Sequence, residues 1–109
     1  NLEYMFCIYD KTDNTHIGNV RLHSINKYKQ TAHIGILIGN KEKTGRGFGT
    51  QAISLITQFA FEKLKLKEVY AGVLKDNIAS IKVFQKNKFI NYKSNSENSY
   101  SFKLKNINL

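Results

Sequence analysis

The hydrophobic period of this chain changes at Gly47, and that change bounds the folds open to it. Upstream, over residues 17–26, Gly18, Val20, Leu22 and Ser24 share one parity while Ile17, Asn19, Arg21 and His23 share the other. That is the pattern of a half-buried strand with Val20 and Leu22 facing in. Downstream, Phe48, Ala52, Leu55, Ile56, Phe59, Ala60 and Leu64 recur at three- and four-residue steps, which predicts an amphipathic helix over 47–66. Because strands come in a run before the first helix, the order does not fit a doubly wound sheet.

The remaining elements follow from the same reading. Residues 3–10 are rich in aromatic and β-favouring side chains and lead into a polar turn at 11–15, and residues 32–39 give a further strand. The first three strands are expected to be antiparallel. Residues 68–74, with Val69, Tyr70 and Val73, read as a strand after the helix. Asp76 or Asn77 can then cap a second helix whose Ile78, Ile81 and Phe84 share a face and which ends near Asn87. Residues 89–93 and 100–105 read as two final strands joined by a loop at 94–99. The expected fold is α+β, in the order β-β-β-α-β-α-β-β: a mixed, mostly antiparallel twisted sheet with two helices packed on it. At 109 residues with 41% hydrophobic content, the chain supports one core and hence a single domain over 1–109.

Composition narrows the function classes. The single cysteine excludes an internal disulfide framework and gives no metal-ligand spacing. Cys7 lies in the apolar run Tyr4-Met5-Phe6-Cys7-Ile8-Tyr9, where a buried, inert thiol is expected. No apolar stretch is long enough to span a bilayer and no secretory pattern opens the chain, so a cytoplasmic setting is expected. A net charge of +9 favours an anionic partner, whether nucleic acid, a membrane surface or a phosphorylated cofactor, although a generally solvated basic surface explains it as well. A nucleic-acid module would alternate aromatic and basic residues on an exposed sheet face. Tyr4, Phe6 and Ile8 share a parity that more simply fits core.

The chemistry concentrates in Lys43-Thr44-Gly45-Arg46-Gly47-Phe48-Gly49-Thr50, a glycine-rich turn that leaves a strand and opens a helix. Glycines let backbone amides approach a phosphate, and the first helical turn offers unpaired N–H groups at the positive end of the dipole. Arg46 and Lys43 are expected to add mobile positive charge. A diphosphate ligand is the inference, with a plain glycine-assisted helix start as the alternative. No Gly-Lys-Ser/Thr closes the segment as in a Walker loop, and Thr50 stands where the dinucleotide fingerprint has its third glycine.

Three segments in order resemble the GNAT superfamily of acetyltransferases: Ala32-His33-Ile34-Gly35-Ile36-Leu37-Ile38-Gly39, then Gly45-Arg46-Gly47-Phe48-Gly49-Thr50-Gln51-Ala52-Ile53, then Asn77-Ile78-Ala79-Ser80 through Phe84-Gln85-Lys86-Asn87-Lys88-Phe89. The resemblance covers residues 17–89 and is closest to the branch with the ribosomal-protein alanine and amino-sugar acetyltransferases. It implies acetyl-CoA as cofactor and a primary amine as acceptor. The family's Gln/Arg-x-x-Gly-x-Gly/Ala signature falls on Thr44, Gly45, Arg46, Gly47, Phe48 and Gly49, with Thr44 replacing the usual first residue, and Thr50 continues the cofactor-binding segment. The backbone of Ile36, Leu37 and Ile38 is implied to pair with the pantetheine arm along an edge left free by a splayed neighbour. Asn77 matches the asparagine that holds the arm, though a helix cap would equally account for it. Lys88 stands where glycine is usual, which implies a left-handed residue there.

The family transfers acetyl directly from thioester to amine. Its usual tyrosine acid falls on Phe84, which cannot donate; Ser80 matches a serine of the closest branch, or is a small residue at a tight helix–sheet contact. His33 stands where that branch often has a glutamate and suits a base acting through water, or is structural. The resemblance further implies that the family's first strand and two helices, the helices forming one wall of the acceptor site, are absent here, so that this fragment could bind cofactor without acetylating. A coenzyme A-binding or interaction module without catalysis therefore remains an alternative. Exposed sheet edges would favour association, with a homodimer among the options.

Overall fold

The computed structural model describes residues 2–92 and 96–107. Strands β1 (Tyr4–Asp10), β2 (Thr15–Asn26) and β3 (Thr31–Ile38) come first, followed by a short 3-10 turn (Lys41–Lys43) and helix α1 (Phe48–Glu62). Strand β4 (Glu68–Leu74), helix α2 (Ile78–Lys86) and strands β5 (Ile90–Tyr92) and β6 (Ser99–Lys105) complete the chain. The element order is the one expected. The expected strand end at Lys93 and the first residues of the 94–99 loop lie outside the described residues.

Among the described residues six strands form one sheet in the order β1-β2-β3-β4-β6-β5. The first three pair antiparallel, β3 and β4 are parallel, and β6 runs antiparallel to both β4 and β5. The two parallel crossovers, through α1 and α2, step in the same direction across the sheet, which puts both helices on one face. Under them lies one core of Val20, Leu22, Ala32, Ile34, Val69, Ala71, Val73 and Phe102, packed on Ala52, Ile53, Ile56 and Ala60 of α1 and Phe84 of α2. The alternation is clearest in β4, where Val69, Ala71 and Val73 are buried and their neighbours are not. Phe84 stacks on Phe102 with ring centres 6.0 Å apart and meets Phe89 edge-on at 5.1 Å. Each such ring contributes roughly 1.5–3 kcal/mol by leaving water.

Several side chains lie elsewhere than the spacing suggests. Leu55 of α1 is 66% exposed and Ile78 of α2 is 56% exposed, because the sheet meets α1 along Ala52, Ile53, Ile56, Thr57 and Ala60, and α2 chiefly along Phe84. Ile17 is buried although its parity opposes Val20 and Leu22; its carbonyl accepts from the Gly39 and Asn40 amides where the β2–β3 ladder ends. Helix α1 stops at Glu62 rather than near Leu66, since Lys65 takes a left-handed φ of 57° and turns Leu66 under the helix. Cys7 is exposed and not the buried thiol expected. It sits on edge strand β1 opposite the parity of Tyr4 and Phe6, whose rings meet Phe59 of α1 at 5.1 and 5.4 Å.

Candidate functional site

The sheet opens in its middle. Strand β3 pairs with β2 from Asn26↔Thr31 to Gly18↔Ile38, but with β4 only at Thr31↔Glu68, Ala32↔Val69 and His33↔Tyr70. Beyond His33 the two strands diverge, while β4 continues against β6 to Leu74↔Ser99. Ile36, Leu37 and Ile38 therefore have no strand partner toward β4 among the described residues. Gly18 secures the opposite edge: a Cβ there would meet the Leu37 carbonyl oxygen at 2.1 Å, so only glycine lets β2 approach β3 this closely.

The first turn of α1 stands at the mouth of this opening. A Cβ on Gly49 would meet Val83 Cγ2 of α2 at 3.2 Å and Ile36 Cδ1 of β3 at 3.7 Å, so the turn is wedged between the strand and the second helix. Gly45 and Gly47 have φ of 80° and 87°, and Gly47 caps α1 without a side-chain hydrogen bond. Its carbonyl takes the first intrahelical bond, from the Gln51 amide at 3.0 Å. The amides of Phe48, Gly49 and Thr50 are thus first-turn donors with no side-chain cap. Thr44 and Arg46 are exposed, and Arg46 has no ion-pair partner among the described residues.

Lys43 is not the mobile charge expected. It is 8% exposed, and its Nζ donates to Asp10 Oδ2 at 2.8 Å and Asp13 Oδ2 at 2.6 Å. The hydrogen bond from Lys43, with those from Thr12, pulls the Asp10 carboxyl down to about 2, and the two carboxylates hold the Lys43 ammonium above its usual range.

On α2, Asn77 Oδ1 accepts the Ser80 amide at 3.2 Å, so the cap is real, and Ser80 sits half-buried in the first turn. Lys88 takes the left-handed conformation implied, with φ 69°. Asn87, which sequence reasoning passed over, donates its amide to the Thr50 carbonyl at 3.1 Å and the Val83 carbonyl at 3.0 Å, tying the end of α2 to the start of α1. Nothing local in sequence marks a contact of that span.

His33 is exposed on the sheet face away from the helices, at the last β3–β4 pair. Its ring lies 5.5 Å from that of Tyr70 and 5.8 Å from that of His23. Burial, together with the charges of Arg21 and His33, pushes His23 down. Tyr70 donates its hydroxyl to Glu68, which pushes the phenol up to about 12 and keeps it protonated at neutral pH. No contact joins His33 to Ser80: His33 stands at the last β3–β4 pair on one face of the sheet, and Ser80 in the first turn of α2 on the other. A groove of about 950 Å³ lies elsewhere, between β1 and α1, and is lined by Phe6, Ile8, Phe48, Leu55 and Phe59. An open strand edge beside uncapped amide donors fits a ligand with a linear hydrogen-bonding arm and a diphosphate.

Known proteins share this fold. A family model described as an acetyltransferase (GNAT) domain matches residues 1–90. The "Probable N-acetyltransferase YjcK" of Bacillus subtilis is 39% identical over 85 residues, which are 77% of this chain and 46% of that protein. The F149A mutant of spermidine N-acetyltransferase SpeG from Vibrio cholerae superposes with a TM-score of 0.84 at 22% identity, covering 96% of this chain and 66% of that one. Campylobacter jejuni N-acetyltransferase PseH, solved in complex with acetyl coenzyme A, superposes with a TM-score of 0.78 at 26% identity, covering 94% of this chain and 67% of that one. The chain thus spans about half the length of the curated relative and about two thirds of the solved structures. With its six-stranded sheet, its parted central strands and a domain match over most of its length, this chain belongs to the GNAT acetyltransferase family.

Proposed function

We propose that this chain carries the cofactor site of an acetyl-CoA-dependent N-acetyltransferase acting on a primary amine: a protein N-terminus, an amino sugar or a small amine. The observation that supports it most is the parting of β3 from β4 after His33, with the uncapped first turn of α1 at its mouth. Backbone groups of Ile36, Leu37 and Ile38 would hold the arm of the cofactor. The amides of the segment Thr44, Gly45, Arg46, Gly47, Phe48, Gly49 and Thr50, with the Arg46 guanidinium, would hold its diphosphate. Bound acetyl-CoA supplies an acyl thioester.

The protein groups then divide the proton work between the two faces of the sheet. His33 takes a proton from the acceptor ammonium, directly or through water, so that a neutral amine can attack. As the new N–C bond forms and the C–S bond breaks, Ser80 Oγ, on the helix side, gives a proton to the departing thiolate and is reprotonated through water by the proton that the nitrogen sheds. Tyr70, locked to Glu68, fixes one side of the His33 ring without itself titrating near neutrality.

Acetyl-CoA titrated calorimetrically into the protein should give saturable binding, and a panel of amines should reveal turnover. Removing either proton group, as His33→Gln or Ser80→Ala, should lower kcat by about 10²-fold with the KM for acetyl-CoA nearly unchanged. Unchanged kcat in both variants would remove these residues from the mechanism. A second reading, coenzyme A binding without turnover, is favoured by Phe84, which fills the core at 2% exposure where the family resemblance places a phenol. Saturable binding with no turnover on any amine would select it.

A further inference from the structure

The glycine segment hangs between two ties. On its far side Asn87 holds the Thr50 carbonyl. On its near side Lys43, at the end of the 3-10 turn, crosses to the β1–β2 turn some thirty residues earlier and is gripped by Asp10 and Asp13. The grip is built to last. Asp10 is 4% exposed and spends Oδ1 on the Thr12 amide at 2.9 Å and the Thr12 hydroxyl at 2.7 Å, leaving Oδ2 for Lys43. Asp13 Oδ1 takes the Thr15 amide at 3.1 Å while Oδ2 takes Lys43. The Lys43 backbone is held as well, its amide donating to the Asn40 carbonyl at 3.1 Å.

We propose that Asp10 and Asp13 are positioning residues for diphosphate binding: through Lys43 they fix where the glycine segment begins, and so where its amides point. This rests on the reading of that segment as the diphosphate site. The arrangement is otherwise paradoxical, because it places two carboxylates near a site for an anion and withdraws a lysine that could have served it. A segment with two left-handed glycines has little stiffness of its own. Holding both its ends supplies the pre-organisation that multiple amide contacts need.

The sign of one substitution decides. Asp13→Asn makes the surface one unit more positive and loosens Lys43, so an electrostatic or direct-ligand role for Lys43 requires tighter coenzyme A binding. Positioning requires weaker binding, with the calorimetric Kd for coenzyme A rising by about five- to tenfold. The Kd for pantetheine, which carries no phosphate, should stay within about twofold, and amide exchange across 43–50 should quicken. Asp13 is the partner to change because its side chain is 48% exposed. Lys43→Arg, which retains the charge and the donors, should recover most of the affinity lost in Lys43→Met. An unchanged or lowered Kd for coenzyme A in Asp13→Asn, or equal weakening of both ligands, would overturn the proposal. If the wild type binds no coenzyme A, the reading of the site falls instead, and faster exchange across 43–50 would then show only a structural tie.

Discussion

The two helices of this domain begin in opposite ways. Helix α2 closes its first turn with its own side chain, Asn77 Oδ1 taking the Ser80 amide. Helix α1 begins on a left-handed glycine that has no side chain to offer, and its donors are left open beside the parted strands. Side-chain caps stabilise a helix start, so leaving one out forgoes stability in exchange for donors that a ligand can use. What the α1 start lacks locally it gains from outside, through Lys43 on one side and Asn87 on the other. The chain before α2 is tied as well, the Lys75 amide donating to the Asn98 carbonyl at 2.9 Å and its ammonium lying 5.2 Å from the Tyr100 ring centre, so what separates the two starts is the side-chain cap.

Three experiments test that contrast. The largest effect is expected from putting a negative charge at the open start of α1. Gly47→Asp places a carboxylate where the diphosphate would sit, and the calorimetric Kd for acetyl-CoA should rise by more than about thirtyfold while the fold persists. Affinity preserved in that variant would mean that the open end of α1 is not the anion site. Next, Asn77→Ala removes the α2 cap and should cost about 1 kcal/mol, a drop in Tm of roughly 4–8 °C by calorimetry. Asn77→Asp restores the cap but not the amide donors, so a Kd for acetyl-CoA raised in the aspartate variant would assign Asn77 to the cofactor arm as well.

The smallest effect concerns pH. The Asp10 carboxyl in the folded protein lies at about 2 against an ordinary value of 3.8, so its contribution is present above the ordinary value and is lost as pH falls through about 2. Exchange protection across 43–50 should hold from neutral pH to about pH 4 and then decline toward about pH 2, ahead of residues 77–81, whose cap is a neutral amide. Equal decline in both segments would remove the distinction between an end held by charge and an end held by its own side chain.

How much of this could be read beforehand depended on distance along the chain. The element order was legible because the change of period at Gly47 and the alternation in 17–26 and 68–74 are local. So were the glycine segment and the Asn77 cap, whereas the left-handed Lys88 followed only from the family resemblance. Leu55 and Ile78 were misassigned because spacing gives the width of an apolar stripe and not the line along which a sheet meets it. Cys7 was misplaced because nothing within the run 4–9 says that the strand lies at the sheet's edge. Lys43 carried the clearest error: its partners are 30 and 33 residues away, and no local pattern separates a tied lysine from a free one. Asn87 was missed for the same reason, its partner Thr50 being 37 residues distant.

The parting of β3 from β4 also works as a ruler. At a strand rise of ~3.3 Å per residue, the stretch from Ile34 to Ile38 offers about 13 Å of open edge between the last paired residue, His33, and the turn that leads to the glycine segment. The closed end of the opening is a mechanical stop set by backbone pairing, and the other end is set by the anchored turn. Whatever lies along that edge has its reacting end placed by counting residues. Removing one residue from β3 would shorten the scale by about one strand step and reverse the parity of every side chain beyond it, an error that no nearby side chain could correct.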